Sequence, residues 1–175
     1  MFYNVAQLLK EPVGSTRTYS IDETIPTGDG NAQGVFSGSV SLLRTDKGIW
    51  LSAGLDGHMW LVCGRCLKNY SYPMNLTIDE EYLPTVDIAT GQSFQLPSPE
   101  EGSFTVDRRH ILSLMEAVRQ YTITNQPMQP LCRKGCRGLC PVCGSDRNES
   151  VCICEGRSAE PRWAPLLKLI EETSQ

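Results

Sequence analysis

The segment from Cys132 to Cys154, CRKGCRGLCPVCGSDRNESVCIC, limits what this chain can become more than any other stretch. Six of the eight cysteines lie in it, spaced C-x3-C-x3-C-x2-C-x8-C-x-C. It has no aromatic side chain, carries charge throughout, and contains Gly135, Gly138 and Gly144. A segment so poor in apolar surface folds only when a metal or disulfides replace the missing core. Cys140-Pro141-Val142-Cys143-Gly144 is its most specific part. A C-P-x-C-G turn presents two thiolates to one tetrahedral ion. The glycine that follows can enter the left-handed region, leaving backbone N–H groups aimed at the sulfurs. Structural zinc is the expectation.

Metal is favoured over disulfides because MFYNVAQLLKEPVG lacks the basic start and apolar run of a secretory signal. No run of eighteen consecutive apolar residues occurs, so no ordinary membrane-spanning helix is expected. A cytoplasmic location and no membrane partner follow as expectations. The net charge of -4 does not mark the whole chain as a nucleic-acid binder. Its distribution is uneven. Between Cys132 and Arg157, Arg133, Lys134, Arg137, Arg147 and Arg157 face Asp146, Glu149 and Glu155, a local excess of two positive charges on an acidic body. Such a module can contact phosphate, or can simply be a solvated face that keeps the unit soluble.

Upstream, one short helical turn is expected over Asn4–Leu9, stopped by Pro12 and Gly14, and a strand over Thr16–Ile21. Alternation then dominates. Phe36, Val40 and Leu42 alternate with Ser37, Ser39 and Ser41. Ile49, Leu51, Ala53, Leu55, Met59 and Leu61 form a second apolar set, and Tyr70, Tyr72, Met74, Leu76, Ile78 and Tyr82 a third. The fold class expected is α+β: an antiparallel meander or partial barrel, covered by a helix and followed by a zinc-ribbon-like module. Trp50 and Trp60, on the other face of their strand, suit a second layer of packing better than base stacking. Pro84–Ser103 has no periodicity and is expected to be a mobile loop. A helix should start at Asp107, with Ile111, Leu114, Met115, Val118 and Tyr121 or Thr122 on its apolar stripe. A short helix is expected over Pro165–Glu172. The division expected is a body over 1–131, a zinc-binding module over 132–157 and a helical tail over 158–175.

Eight thiols allow two tetrahedral sites. Cys140 and Cys143 can pair with Cys152 and Cys154, leaving Cys132 and Cys136 to join Cys63 and Cys66 at a strand-turn-strand tip. A competing partition puts one ion on Cys132, Cys136, Cys140 and Cys143. Spacing alone permits both. An enzyme is not expected. Cys63-Gly64-Arg65-Cys66 lies between strand patterns, unlike a redox motif at a helix start. Cys136-x3-Cys140-x2-Cys143 has the spacing of radical enzymes, yet only Gly144 to Gln175 follows it, too little for their barrel. His58 reads as a strand residue and His110 as part of a helix's first turn, so neither completes a catalytic metal site.

VAQLLKEPVGSTR, LLRTDKGIWLSAGL, CGRCL, PMQPLCRKGCRGLCPVCGSDRN and EPRWAPLLKL together resemble the YceD family of large ribosomal RNA subunit accumulation proteins. The resemblance implies a non-enzymatic role in processing or accumulation of 23S ribosomal RNA, with no small-molecule substrate. It also supports joining Cys63, Cys66, Cys132 and Cys136 in one site, since histidines stand at the last two places in some members. The function expected is a factor holding two zinc ions that binds ribosomal RNA, the pre-ribosomal large subunit or a ribosomal protein. Arg133, Lys134, Arg137 and Arg147 would touch RNA phosphates. The alternative is a zinc-gated thiol redox sensor or chaperone.

Overall fold

The computed structural model describes residues 1–26, 33–94 and 104–154. Arg157 and the helix expected over Pro165–Glu172 lie outside the described residues, as does the 95–103 part of the expected loop.

Alternation sets the architecture. In β3 (Gln33–Arg44), Phe36, Val40 and Leu42 are fully buried while Ser37 and Ser39 are exposed. β4 (Ile49–Val62) buries Ile49, Leu51, Ala53, Leu55 and Met59. β5 (Asn69–Pro84) buries Met74, Leu76, Ile78 and Tyr82. Period two forces every second side chain onto one face, and burying that face specifies the register. With β2 (Thr16–Pro26) these strands form an antiparallel meander, in which Val40, Ala53 and Ile78 stand side by side across three strands.

Shorter strands complete one seven-stranded sheet. β1 (Phe2–Asn4), β6 (Phe104–Val106) and β7 (Ile111–Ser113) give the order β1-β7-β6-β5-β4-β3-β2. β6 runs parallel to β5, and β7 returns antiparallel to it. The two edge strands approach each other: the rings of Tyr3 in β1 and Tyr19 in β2 lie 4.8 Å apart. The sheet is therefore curled into a half-barrel, as strand twist favours for long strands. Two helices, α1 (Ala6–Lys10) and α2 (Met115–Thr124), pack on the concave side through Leu8, Leu9, Ala117 and Val118. The Tyr121 hydroxyl of α2 donates to Glu80 Oε1 of β5 at 2.8 Å.

Several expectations need correction. The helix begins at Met115, not near Asp107. The Asp107 carboxylate accepts the N–H groups of Arg109 (2.8 Å) and Ile111 (2.7 Å), closing a turn that feeds strand β7. His110 sits in that turn with φ of 59° rather than in a helix. Ile111 thus reads as helical by its spacing to Leu114 and Met115, yet β1 and β6 claim it for the sheet. Trp50 and Trp60 do not seal a second layer: they are 40% and 54% exposed. The described part of the Pro84–Ser103 stretch is structured. Asp87 Oδ1 accepts from Ala89 and Thr90, and Val86 bridges to Ser93.

Candidate metal centres

β4 and β5 are joined by Cys63-Gly64-Arg65-Cys66-Leu67-Lys68. The turn is closed by Leu67 N–H to Cys63 O and Cys63 N–H to Lys68 O, both at 2.9 Å. Cys140-Pro141-Val142-Cys143-Gly144-Ser145 repeats it. Gly144 N–H donates to Cys140 O at 2.9 Å, and Cys140 N–H to Ser145 O at 2.8 Å. Both turns need a left-handed residue just after the second cysteine. Gly144 supplies it at φ 73°, while Leu67 adopts φ 60° despite its side chain. A leucine held there is strained, and such strain persists only where the surroundings enforce it.

All eight cysteines are free thiols, and they gather as two groups of four. One group is Cys63, Cys66, Cys132 and Cys136; the other is Cys140, Cys143, Cys152 and Cys154. Within each group the sulfurs lie within 4.8 Å of one another. The competing set of Cys132, Cys136, Cys140 and Cys143 is not gathered in this way. In the first group Cys63 and Cys136 sulfurs are 3.8 Å apart and those of Cys66 and Cys132 3.7 Å. A tetrahedral ion with metal–sulfur bonds of about 2.3 Å has sulfur–sulfur edges of about 3.8 Å. The donor set and its spacing therefore fit one tetrahedral ion per group, two per chain.

The groups differ in setting. In the first, Cys63, Cys66 and Cys136 are buried, packed with Tyr70 and Leu131. In the second, only Cys140 is buried, and Cys143 and Cys154 are exposed. In both, the leading cysteine is prepared as a thiolate. Backbone N–H groups of Cys132, Cys66 and Arg65 pull the Cys63 thiol down to about 6. Those of Cys143 and Val142 do the same for Cys140, also to about 6. Burial pushes Cys132 up to about 12. Sharing its proton with the Cys143 sulfur raises Cys154, also to about 12.

A polar frame ties the first group to the loop carrying the second. Arg65 donates to Cys136 O at 2.9 Å and accepts the Leu139 N–H at 3.0 Å. Gly64 N–H reaches Pro130 O at 2.8 Å. Lys68 pairs with Asp146 at 2.9 Å and with Glu149, and this pairing draws the Asp146 carboxyl down to about 2. Asn148 is the hinge of the frame. Its Oδ1 accepts from the Arg133 guanidinium (2.8 Å) and the Arg137 N–H (2.9 Å), while its Nδ2 points at the Cys136 sulfur from 3.5 Å. Sequence reasoning missed Arg65, Lys68, Asp146 and Asn148. Their one signal was adjacency to the cysteines. Outer partners of metal ligands commonly hold ten- to a hundredfold in affinity. Asn148→Ala is expected to weaken metal binding at the first group by about that factor, read by competition with a chromophoric chelator. Unchanged affinity would make Asn148 a bystander.

Arg133, Lys134, Arg137 and Arg147 are all exposed on this loop. Among the described residues no carboxylate is within ion-pairing distance of any of them, because Asp146 and Glu149 are drawn to Lys68.

The fold and its sulfur groups define a class: a curled β half-barrel with two four-cysteine groups, one joining the strand-turn tip to the cysteine-rich segment and one within that segment. The chain belongs to the YceD family; the family model for the large ribosomal RNA subunit accumulation protein YceD matches residues 51–170. That span starts in β4 and includes β5, α2 and all eight cysteines. The chain matches no curated protein and no solved structure.

Proposed function

We propose that this chain is a non-enzymatic zinc-binding factor of the cytoplasm that supports processing and accumulation of 23S ribosomal RNA and assembly of the large subunit. The observation that carries this reading is the pair of four-sulfur groups in a member of a family described by large-subunit ribosomal RNA accumulation. Zinc suits the sites because four thiolates saturate a tetrahedral ion, leaving no position for water or substrate. Such sites hold shape rather than perform chemistry. The ribbon-like segment from Cys132 to Cys154 then presents Arg133, Lys134, Arg137 and Arg147 to RNA phosphates. Membership of the family, the exposure of the four cations and the diversion of Asp146 and Glu149 to Lys68 support that role.

A divalent ion held by four thiolates leaves two negative charges at each site, which the same cations also offset. The test therefore spares Arg133, whose guanidinium holds Asn148. Lys134→Ala with Arg137→Ala is expected to weaken binding to large-subunit RNA and to lower the slope of log affinity against log salt by about 1.4 to 1.8, the loss of two phosphate contacts. Metal content should stay at the parent value. A double variant with the parent's affinity and salt dependence would remove these cations from the RNA contact.

A further inference from the structure

The convex face of the half-barrel is as distinctive as the cysteine-rich end. Its outward positions run from Thr16 to Thr24 in β2, Val35 to Leu43 in β3, Trp50 to Trp60 in β4 and Ser71 to Glu81 in β5. No lysine or arginine occupies any of them; ten of the twenty-two are serine or threonine. Asp22, Asp56, Asp79 and Glu81 are their carboxylates, and the first three are exposed. Register places Asp22, Ser37, Asp56 and Asn75 in one row across four strands. Asp79 lies beside Ser52, and Glu81 beside Trp50. Trp50 and Trp60 close the two ends of this acidic strip, about 33 Å apart along β4 at about 3.3 Å per residue.

We propose that this convex face docks a basic polypeptide segment, rich in arginine and lysine. Solubility alone accounts for scattered acids, but not for a four-strand face without one lysine or arginine, flanked by two exposed indoles. Guanidinium groups stack on indole faces and take carboxylates in pairs, so arginine satisfies both features of the strip. An RNA strand would find rings for its bases but would set its phosphates against four carboxylates. Arg133, Lys134, Arg137 and Arg147 belong to the cysteine-rich loop, and none of them stands on this face. It gives the ribosomal-protein option of the function proposed above a place and a chemistry, and its test reads separately from RNA binding.

The probe is a synthetic arginine- and lysine-rich peptide, titrated into the full, metal-loaded chain carrying Trp163→Phe, so that fluorescence reports Trp50 and Trp60. A saturable change in emission is expected. Asp56→Lys with Asp79→Lys should raise Kd about tenfold or more, since it replaces two attractive charges by two repulsive ones. Asp56→Asn with Asp79→Asn, gentler on the fold, should raise it by a smaller factor in the same direction. The charge-matched pair Glu11→Lys with Glu116→Lys, off this face, and the pair Lys134→Ala with Arg137→Ala should leave Kd within about twofold. Equal weakening by both charge-reversal pairs would reduce the effect to general attraction by an acidic body and overturn the proposal. So would a silent tryptophan signal, or a single-stranded RNA that binds this face in the peptide's place.

Discussion

Replacing Cys136 by serine is expected to remove the ion of the first sulfur group and release the segment from Leu131 onward from the sheet. The same substitution at Cys143 should remove only the second ion. The asymmetry follows from burial and from chain length. Three sulfurs of the first group are buried, so the remaining thiolates would be left in a dry site without their counter-ion. An ion shared by Cys66 and Cys132 would close a loop of 66 residues, whereas Cys143 and Cys152 are near neighbours in sequence. Closing the longer loop constrains the unfolded chain by about 2 kcal/mol more. Each structural zinc in small modules is worth about 10–16 kcal/mol of folding, so either loss should be large. Metal analysis should give two ions per parent chain and one for Cys143→Ser. For Cys136→Ser it should give one or none, with new protease cleavage between Leu131 and Cys154. A Cys136→Ser protein that keeps two ions would refute the grouping, and a metal-free parent that stays folded would refute the staple itself.

Acid should act by the same route. The Cys63 and Cys140 thiols ionise at about 6 in the folded chain, below an ordinary thiol. Their contribution to stability is therefore present above the ordinary thiol range and is lost as pH falls through about 6. Metal release should set in on that acid side, as protons compete for the sulfurs.

Gly38→Val is expected to destabilise the body by about 3 kcal/mol or more, the upper range for overpacking. A side-chain carbon at Gly38 would stand 2.0 Å from the carbonyl oxygen of Gly54 on the next strand. That oxygen belongs to backbone held in the sheet, so it cannot swing aside as a side chain would. The melting temperature should fall by about 10 °C, given about 2–4 °C per kcal/mol for a chain of this size. Gly54→Ala makes the matched control. The added carbon there meets nothing within 4 Å, and reduced freedom of the unfolded chain should stabilise slightly, by about 0.4–1 kcal/mol. If both variants melt like the parent, the strands are not as close at this point as the geometry requires.

These two glycines illustrate how far sequence reading reached. Alternation around Gly38 identified β3 and its buried face, because period two is a local property of the strand. It could not show that Gly38 lies under Gly54, which depends on how tightly two strands coil. The meander was legible in the same way, whereas β1, β6 and β7 were not. Each has three residues, too few for a periodic signal, and each is a strand only because its neighbours supply hydrogen-bond partners. Trp50 and Trp60 were placed on the correct side of β4. Their exposure was misjudged because no second layer covers that side among the described residues.

The cysteine spacing by itself pointed to a turn at each C-x2-C pair and to a left-handed Gly144, while the left-handed Leu67 emerged only in the folded chain. A few consecutive torsions make such a turn, and where a glycine ends it the chain within it suffices to specify them. Which turn meets which distant sulfurs was decided only in the folded molecule, where β4 and β5 carry Cys63 and Cys66 to Cys132 and Cys136 across a separation no local rule spans. The acidic strip is likewise a product of register: its carboxylates come from three strands, and only pairing brings them onto one face.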